Sequence, residues 1–207
     1  MAQHTRSQGR RSGGGRGRSW QVPLSVAVIA ISVVAIWQLS SGLFNNDSTS
    51  TPSEPDQEIT AFWVDSGRDL LTDWRNTSPE IVQDIATGRD CLQGEKFTAA
   101  VCPDLPQHYQ DYRLRLGALV DRAAGLAPPP DSSAEEWLAR MVSAWTSLDS
   151  SLRTYAQLGR DGYEREPWLD HQASYRNGVV PGFTEAEFAL ARMLGEVDPA
   201  MLSPAVP

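Results

Sequence analysis

Apolar positions fall into two regimes along this chain. From Val22 to Phe44 (VPLSVAVIAISVVAIWQLSSGLF) they run together without a charge, the polar members being Ser25, Ser32, Gln38, Ser40 and Ser41. Wound as a helix, this run rises about 34 Å, enough to cross a hydrocarbon core of about 30 Å. Beyond it, apolar residues recur three or four positions apart, the period of amphipathic helices. The pattern predicts a transmembrane helix over residues 20–44, with packed helices after it.

The amphipathic part predicts its elements one by one. Ile59, Phe62, Trp63, Leu70, Leu71 and Trp74 form a stripe from Asp56 to Trp74, weakened in the middle by Gly67. Ser78-Pro79-Glu80 has the form of a helix start, with Ser as N-cap, Pro at the first position and an acid in the first turn; Gly88 ends that helix. A third helix, 107–125, buries Tyr109, Tyr112, Leu116, Leu119, Val120 and Ala123, and Pro128-Pro129-Pro130 then forces an extended connector. The fourth opens at Ser132 or Ser133, boxed by Glu135 or Glu136, and ends at Gly159. Its stripe is Trp137, Met141, Ala144, Trp145, Leu148, Leu152, Tyr155 and Leu158. Residues 160–182, punctuated by Gly162, Pro167, Gly178 and Pro181, read as irregular. A fifth helix opens at Thr184 with Glu187, stapled by Phe183 and Phe188, and ends near Gly195 with a resumption through Met201. Two-residue alternation is nowhere sustained, so no sheet is expected.

Charge separates the chain into compartments. Residues 1–46 hold Arg6, Arg10, Arg11, Arg16 and Arg18 and no acid, while the remainder carries a net charge of −13. A basic flank before an apolar span places the N-terminus in the cytosol and the acidic part outside. Trp20 and Trp37 lie about 25 Å apart on a helix and suit the two aromatic belts. The rival reading is a cleaved secretory signal, which would make the chain a secreted helical binding protein. Against it, the apolar run Val22–Leu39 exceeds an h-region of about 7–15 residues, and only Ser40-Ser41-Gly42 stands where a small-residue cleavage site would be. Lys96 is the sole lysine among 18 basic residues, which points to a GC-rich bacterial genome. Outside a bacterial cytoplasmic membrane, Cys91 and Cys102 are expected to form a disulfide contributing about 3 kcal/mol. The alternative is two free thiols in a cytosolic domain.

The predicted organisation is therefore a disordered basic tail (1–19), a signal-anchor helix (20–44), a Ser/Thr/Pro stalk (45–55) and a helical extracytoplasmic domain (56–203). The fold class is all-α, a single transmembrane helix followed by a small bundle of four to five helices with one disulfide.

Candidate chemistry is sparse. The GGGRGR run of the tail lacks interleaved aromatics, so no nucleic acid partner is expected. Asp170-His171 is the one adjacent acid–imidazole pair, with Ser174 three residues on, but neighbouring residues rarely converge as a Ser–His–Asp site requires. No zincin, phosphate-loop or EF-hand spacing occurs, and no metal or cofactor is expected. The segment 160–182 gathers Tyr163, Trp168, His171, Tyr175 and Arg176, residue types that dominate interface hot spots, and is the candidate binding loop. The alternative is a loop packed over the bundle. The expected function is a non-enzymatic, membrane-anchored interaction module, an accessory subunit of a membrane or envelope complex with a protein partner. The alternative from another class is an envelope enzyme cleaving glycan or peptide with paired carboxylates.

Overall fold

In the computed structural model, the described residues are 53–88, 91–93, 96–97, 102, 104–160 and 165–202. The expected tail, transmembrane helix and most of the stalk lie outside them, and with these Arg6, Arg10, Arg11, Arg16, Arg18, Trp20 and Trp37. No helix among the described residues is long and apolar enough to cross a membrane.

The body starts with α1 (Glu54–Phe62), a π-helical turn (Trp63–Gly67) and α2 (Arg68–Gly88), joined end to end as one rod. A hairpin of β1 (Leu92–Gln93) and β2 (Lys96–Phe97) follows, with Leu92 opposite Phe97. Next come α3 (Leu105–Ala124), α4 (Ser133–Arg160) and α5 (Arg165–Ser174). A second π turn (Tyr175–Val179) leads without a break into α6 (Val180–Glu196), and a last turn, α7 (Pro199–Leu202), follows. The regular structure among the described residues is thus helical, apart from a hairpin two residues deep.

Helix α4 is central, packed along α3 on one side and α6 on the other. Its predicted stripe fills the core, with Trp137, Trp145, Leu148, Leu152 and Tyr155 all buried. The expected capping box is half formed. The Ser132 hydroxyl accepts the Glu135 N–H at 3.2 Å, while the Glu135 carboxylate accepts the N–H of Asp131 at 2.8 Å. Helices α2 and α3 run antiparallel, joined by a ladder of charge. Asp73 pairs with Arg122, Glu80 with Arg115 at 2.8 Å, and Asp84 with His108 at 2.9 Å. Beyond this ladder Cys91 and Cys102 are bonded, with 5.8 Å between their Cα atoms, tying the end of α2 to the approach to α3.

The rod corrects the expected break at Ser78. Pro79 lies inside α2, where proline costs about 3 kcal/mol in a free helix. Leu70 and Leu71 before it, and Ile81 and Ile85 after it, are all buried, so packing on both sides holds the helix through the proline. The start also shifts. Ser53 precedes the first turn and its N–H donates to Asp56 at 3.1 Å, so the last residues of the expected stalk belong to the body.

Residues 165–182 are likewise helical rather than irregular. Both π turns have one physical origin. Ile59, Trp63, Gly67 and Leu71 are buried at every fourth position, as are Tyr175 and Val179, with Phe183 partly buried four residues further on. In an α-helix a step of four overshoots a turn by about 40°, so the stripe would swing away from the core. A wider π turn keeps it aligned. In each case the first residue after the turn donates to a carbonyl five back: Arg68 to Trp63, Val180 to Tyr175. The second turn also widens the backbone just ahead of Pro181, easing the clash of the ring with the preceding turn.

Because the chain is already helical at Val180, Thr184 is no cap; its hydroxyl bonds to the Val180 carbonyl at 3.3 Å. The expected Phe183–Phe188 staple is also absent. Phe183 stacks on Trp74 while Phe188 is 66% exposed.

Candidate functional site

The two histidines among the described residues are both engaged in tertiary contacts. The Asp84 Oδ2 atom receives the Tyr112 hydroxyl at 2.8 Å and faces His108 Nδ1 at 2.9 Å, while the Tyr109 hydroxyl donates to the Asp84 carbonyl at 3.0 Å. Burial, then the bond to Asp84, raises the Tyr112 pKa well beyond the ordinary phenol range. His171 Nε2 lies 3.0 Å from both the carbonyl and the hydroxyl oxygen of Ser151. A carbonyl only accepts, so this nitrogen carries the hydrogen. Burial lowers the His171 pKa, partly opposed by that bond. Asp170, His171 and Ser174 form no triad: the Ser174 hydroxyl turns back to the Asp170 carbonyl at 3.0 Å.

The aromatic set expected to form a binding loop is divided. Trp168 and Tyr175 are buried, and with His171 they surround Tyr155 at ring separations of 4.4, 6.3 and 4.4 Å respectively. Arg176 is exposed, and Tyr163 lies outside the described residues. Buried positions Trp168, Gln172, Tyr175 and Val179 follow a helical period, which the nearby glycine and prolines obscured in the sequence.

A different surface has the features of a site. At the seam between α2 and α6, Trp74 stacks flat on Phe183 (centroids 5.1 Å apart, planes 1° apart) and tilts against Trp145 at 5.9 Å. Arg75 and Glu187 flank this stack. Burial raises the Glu187 pKa, opposed by the charge of Arg75; burial lowers that of Arg75, opposed by Glu187. The two charges therefore feel each other, yet neither forms a hydrogen bond or an ion pair within 4 Å among the described residues. Arg75 is exposed and Glu187 half-buried, and each charge partly offsets the effect of burial on the other.

The rest of α6 is electrostatically satisfied. Glu185 pairs with Arg140 at 2.6 Å, Arg192 pairs with Glu136, and Glu196 accepts the Ser133 hydroxyl at 2.6 Å. Glu187 is the one charged side chain of this helix without a hydrogen bond or ion pair among the described residues. It shares a stripe with Thr184, Phe188 and Ala191, spaced three and four apart and hence adjacent on the helix surface. The outer positions Pro181, Thr184, Phe188, Ala191 and Gly195 are exposed and uncharged.

Elsewhere, an open groove of about 300 Å³ runs along α1, lined by Gln57, Thr60, Ala61, Val64, Asp65, Asp198 and Met201. Among the described residues no three potential metal ligands come together.

Comparison with known proteins gives no match among family models, curated proteins or solved structures.

Sequence reasoning missed the seam. Its trace was there: Phe188 falls off the buried stripe of Ala186, Ala189, Leu190 and Met193, a large apolar residue on the wet side of a regular helix. The approach of Arg75 to Glu187 left no trace, since it depends on two elements more than a hundred positions apart.

Proposed function

We propose that this chain is a membrane-tethered interaction module. In this reading a single N-terminal helix holds the body on the extracytoplasmic side of a bacterial cytoplasmic membrane, where it docks as a non-enzymatic accessory subunit. The α2–α6 seam carries the reading: an aromatic stack flanked by an Arg and a Glu that make no hydrogen bond or ion pair among the described residues, next to a phenylalanine 66% exposed. Aromatic residues and Arg concentrate binding energy at protein interfaces, and charges left without partners gain most from a complementary surface. The disulfide between Cys91 and Cys102 supports an oxidising compartment, and the basic flank before the apolar run supports the orientation. The one acid with a raised pKa among the described residues, Glu187, faces Arg75 and not a second acid, which favours docking over paired-carboxylate hydrolysis.

Spheroplasts expressing the full chain test the topology. Protease added outside should digest the body, while undigested protein stays with membranes after an alkaline carbonate wash. A body protected from external protease, or a chain released by the wash, overturns the tethered reading.

A further inference from the structure

We propose that the partner at the α2–α6 seam is a second copy of this chain, docked about a two-fold axis so that Arg75 of each copy meets Glu187 of the other. The inference rests on the interaction-module reading and names its partner.

A two-fold interface is isologous, so one patch must contain both halves of every contact. This patch does. The stack of Trp74 on Phe183 brings α2 and α6 together here. Arg75, next to Trp74, and Glu187, one turn beyond Phe183, thus lie at one seam as a cation and an anion, with no ion pair between them among the described residues. Brought face to face by a two-fold, the pair forms two reciprocal contacts between opposite charges. Chain-wide charge selects the same face. Beyond residue 46 the chain has a net charge of −13, so most approaches of one copy to another are repulsive. The outer face of α6 is the exception, because Glu185, Arg192 and Glu196 are already neutralised or bonded within their own chain. Small residues at Thr184, Ala191 and Gly195 let a second helix approach closely, and Phe188 supplies apolar area to bury.

The face is modest. From Pro181 to Gly195 it spans about 21 Å of helix axis and is about 10 Å wide, an area of about 200 Å², well short of the roughly 800 Å² per partner of a stable soluble complex. The association is accordingly weak for free bodies and strong only when tethering in one membrane raises the effective concentration.

Two differently tagged full-length copies, co-expressed and captured through one tag after mild solubilisation, provide the test. Wild-type copies should co-purify. R75E on both copies sets acid against acid, and E187R on both sets base against base; each should reduce co-capture at least tenfold. Co-expressing an R75E copy with an E187R copy should restore it, because both contacts then join opposite charges across the interface. An interaction confined to one chain gives no such rescue. F188E, at an exposed position that leaves the core intact, should also abolish co-capture. Wild-type copies that never co-purify, single reversals that co-purify like wild type, or a mixed pair that stays apart each overturn the proposal. If the copies stay apart while the seam still binds another membrane protein, the dimer falls and the interaction-module reading stands.

Discussion

Gly88 lies at a close approach, where the end of α2 meets α3 and α5. A Cβ there would lie 2.5 Å from the Trp168 ring and 2.9 Å from the Tyr109 hydroxyl. Both neighbours are buried aromatics with no room to turn, so Gly88→Ala should cost about 2–3 kcal/mol through overpacking, seen as a lower urea midpoint followed by Trp fluorescence. A midpoint unchanged from wild type would mean that the junction is looser than described. The sequence marked Gly88 as a helix end, which it is, but its steric role needs Trp168, which the sequence placed in an irregular segment, either a binding loop or a loop packed over the bundle. His171 acts through charge. Its folded pKa lies below the ordinary 6.5, so as pH falls the unfolded chain takes up this proton first. Stability is then greatest above pH 6.5 and declines as pH drops through the window below it. His171→Phe should flatten the decline in urea midpoint between pH 7 and pH 5; an equal slope in both proteins would place the titration elsewhere.

Among the elements, α4 shows what a sequence can disclose and the two rods show what it conceals. Trp137 to Leu158 recur at a regular helical period under a Ser132 cap, and the helix forms as expected. The rods hide because proline and glycine act as breakers only when nothing else holds the chain. Pro79 is spanned by buried leucines and isoleucines, and Pro167 sits in the first turn of α5, where a missing N–H costs little. The four-residue spacing that produces the π turns reads in a sequence as a blurred stripe. The disulfide was legible from compartment and count alone, and it has an energetic consequence. It closes a loop of sequence separation 11 that contains the hairpin, so replacing both cysteines by serine should lower stability by about 3 kcal/mol. Denaturant melts in oxidised, reduced and double-serine protein measure this. Identical melts in all three would mean that α2 and α3 need no covalent tie.

For the molecule as a whole, the class was open to inspection and the site was not. An all-helical body follows from periodicity, which is local. The seam arises from residues 74–75 meeting 183–188, a juxtaposition that only tertiary packing creates. Overall composition gave misleading guidance, because it drew attention to Trp168 and Tyr175, large aromatics the core absorbs, and away from one phenylalanine left outside. Exposed apolar residues are common singly; what distinguishes Phe188 is its position beside Glu187, the one charge of α6 that makes no hydrogen bond or ion pair among the described residues. Leu114 offers a natural contrast, being 75% exposed on α3 between Arg113 and Arg115, which are ion-paired to Asp149 and Glu80. A photo-reactive benzophenone side chain placed at 188 or at 114 in the full-length protein, irradiated in intact membranes, compares the two faces directly. The account predicts a discrete cross-linked band from position 188, at the mass of two copies, and none from 114. Cross-linking of equal yield from both positions, or from 114 alone, would contradict it.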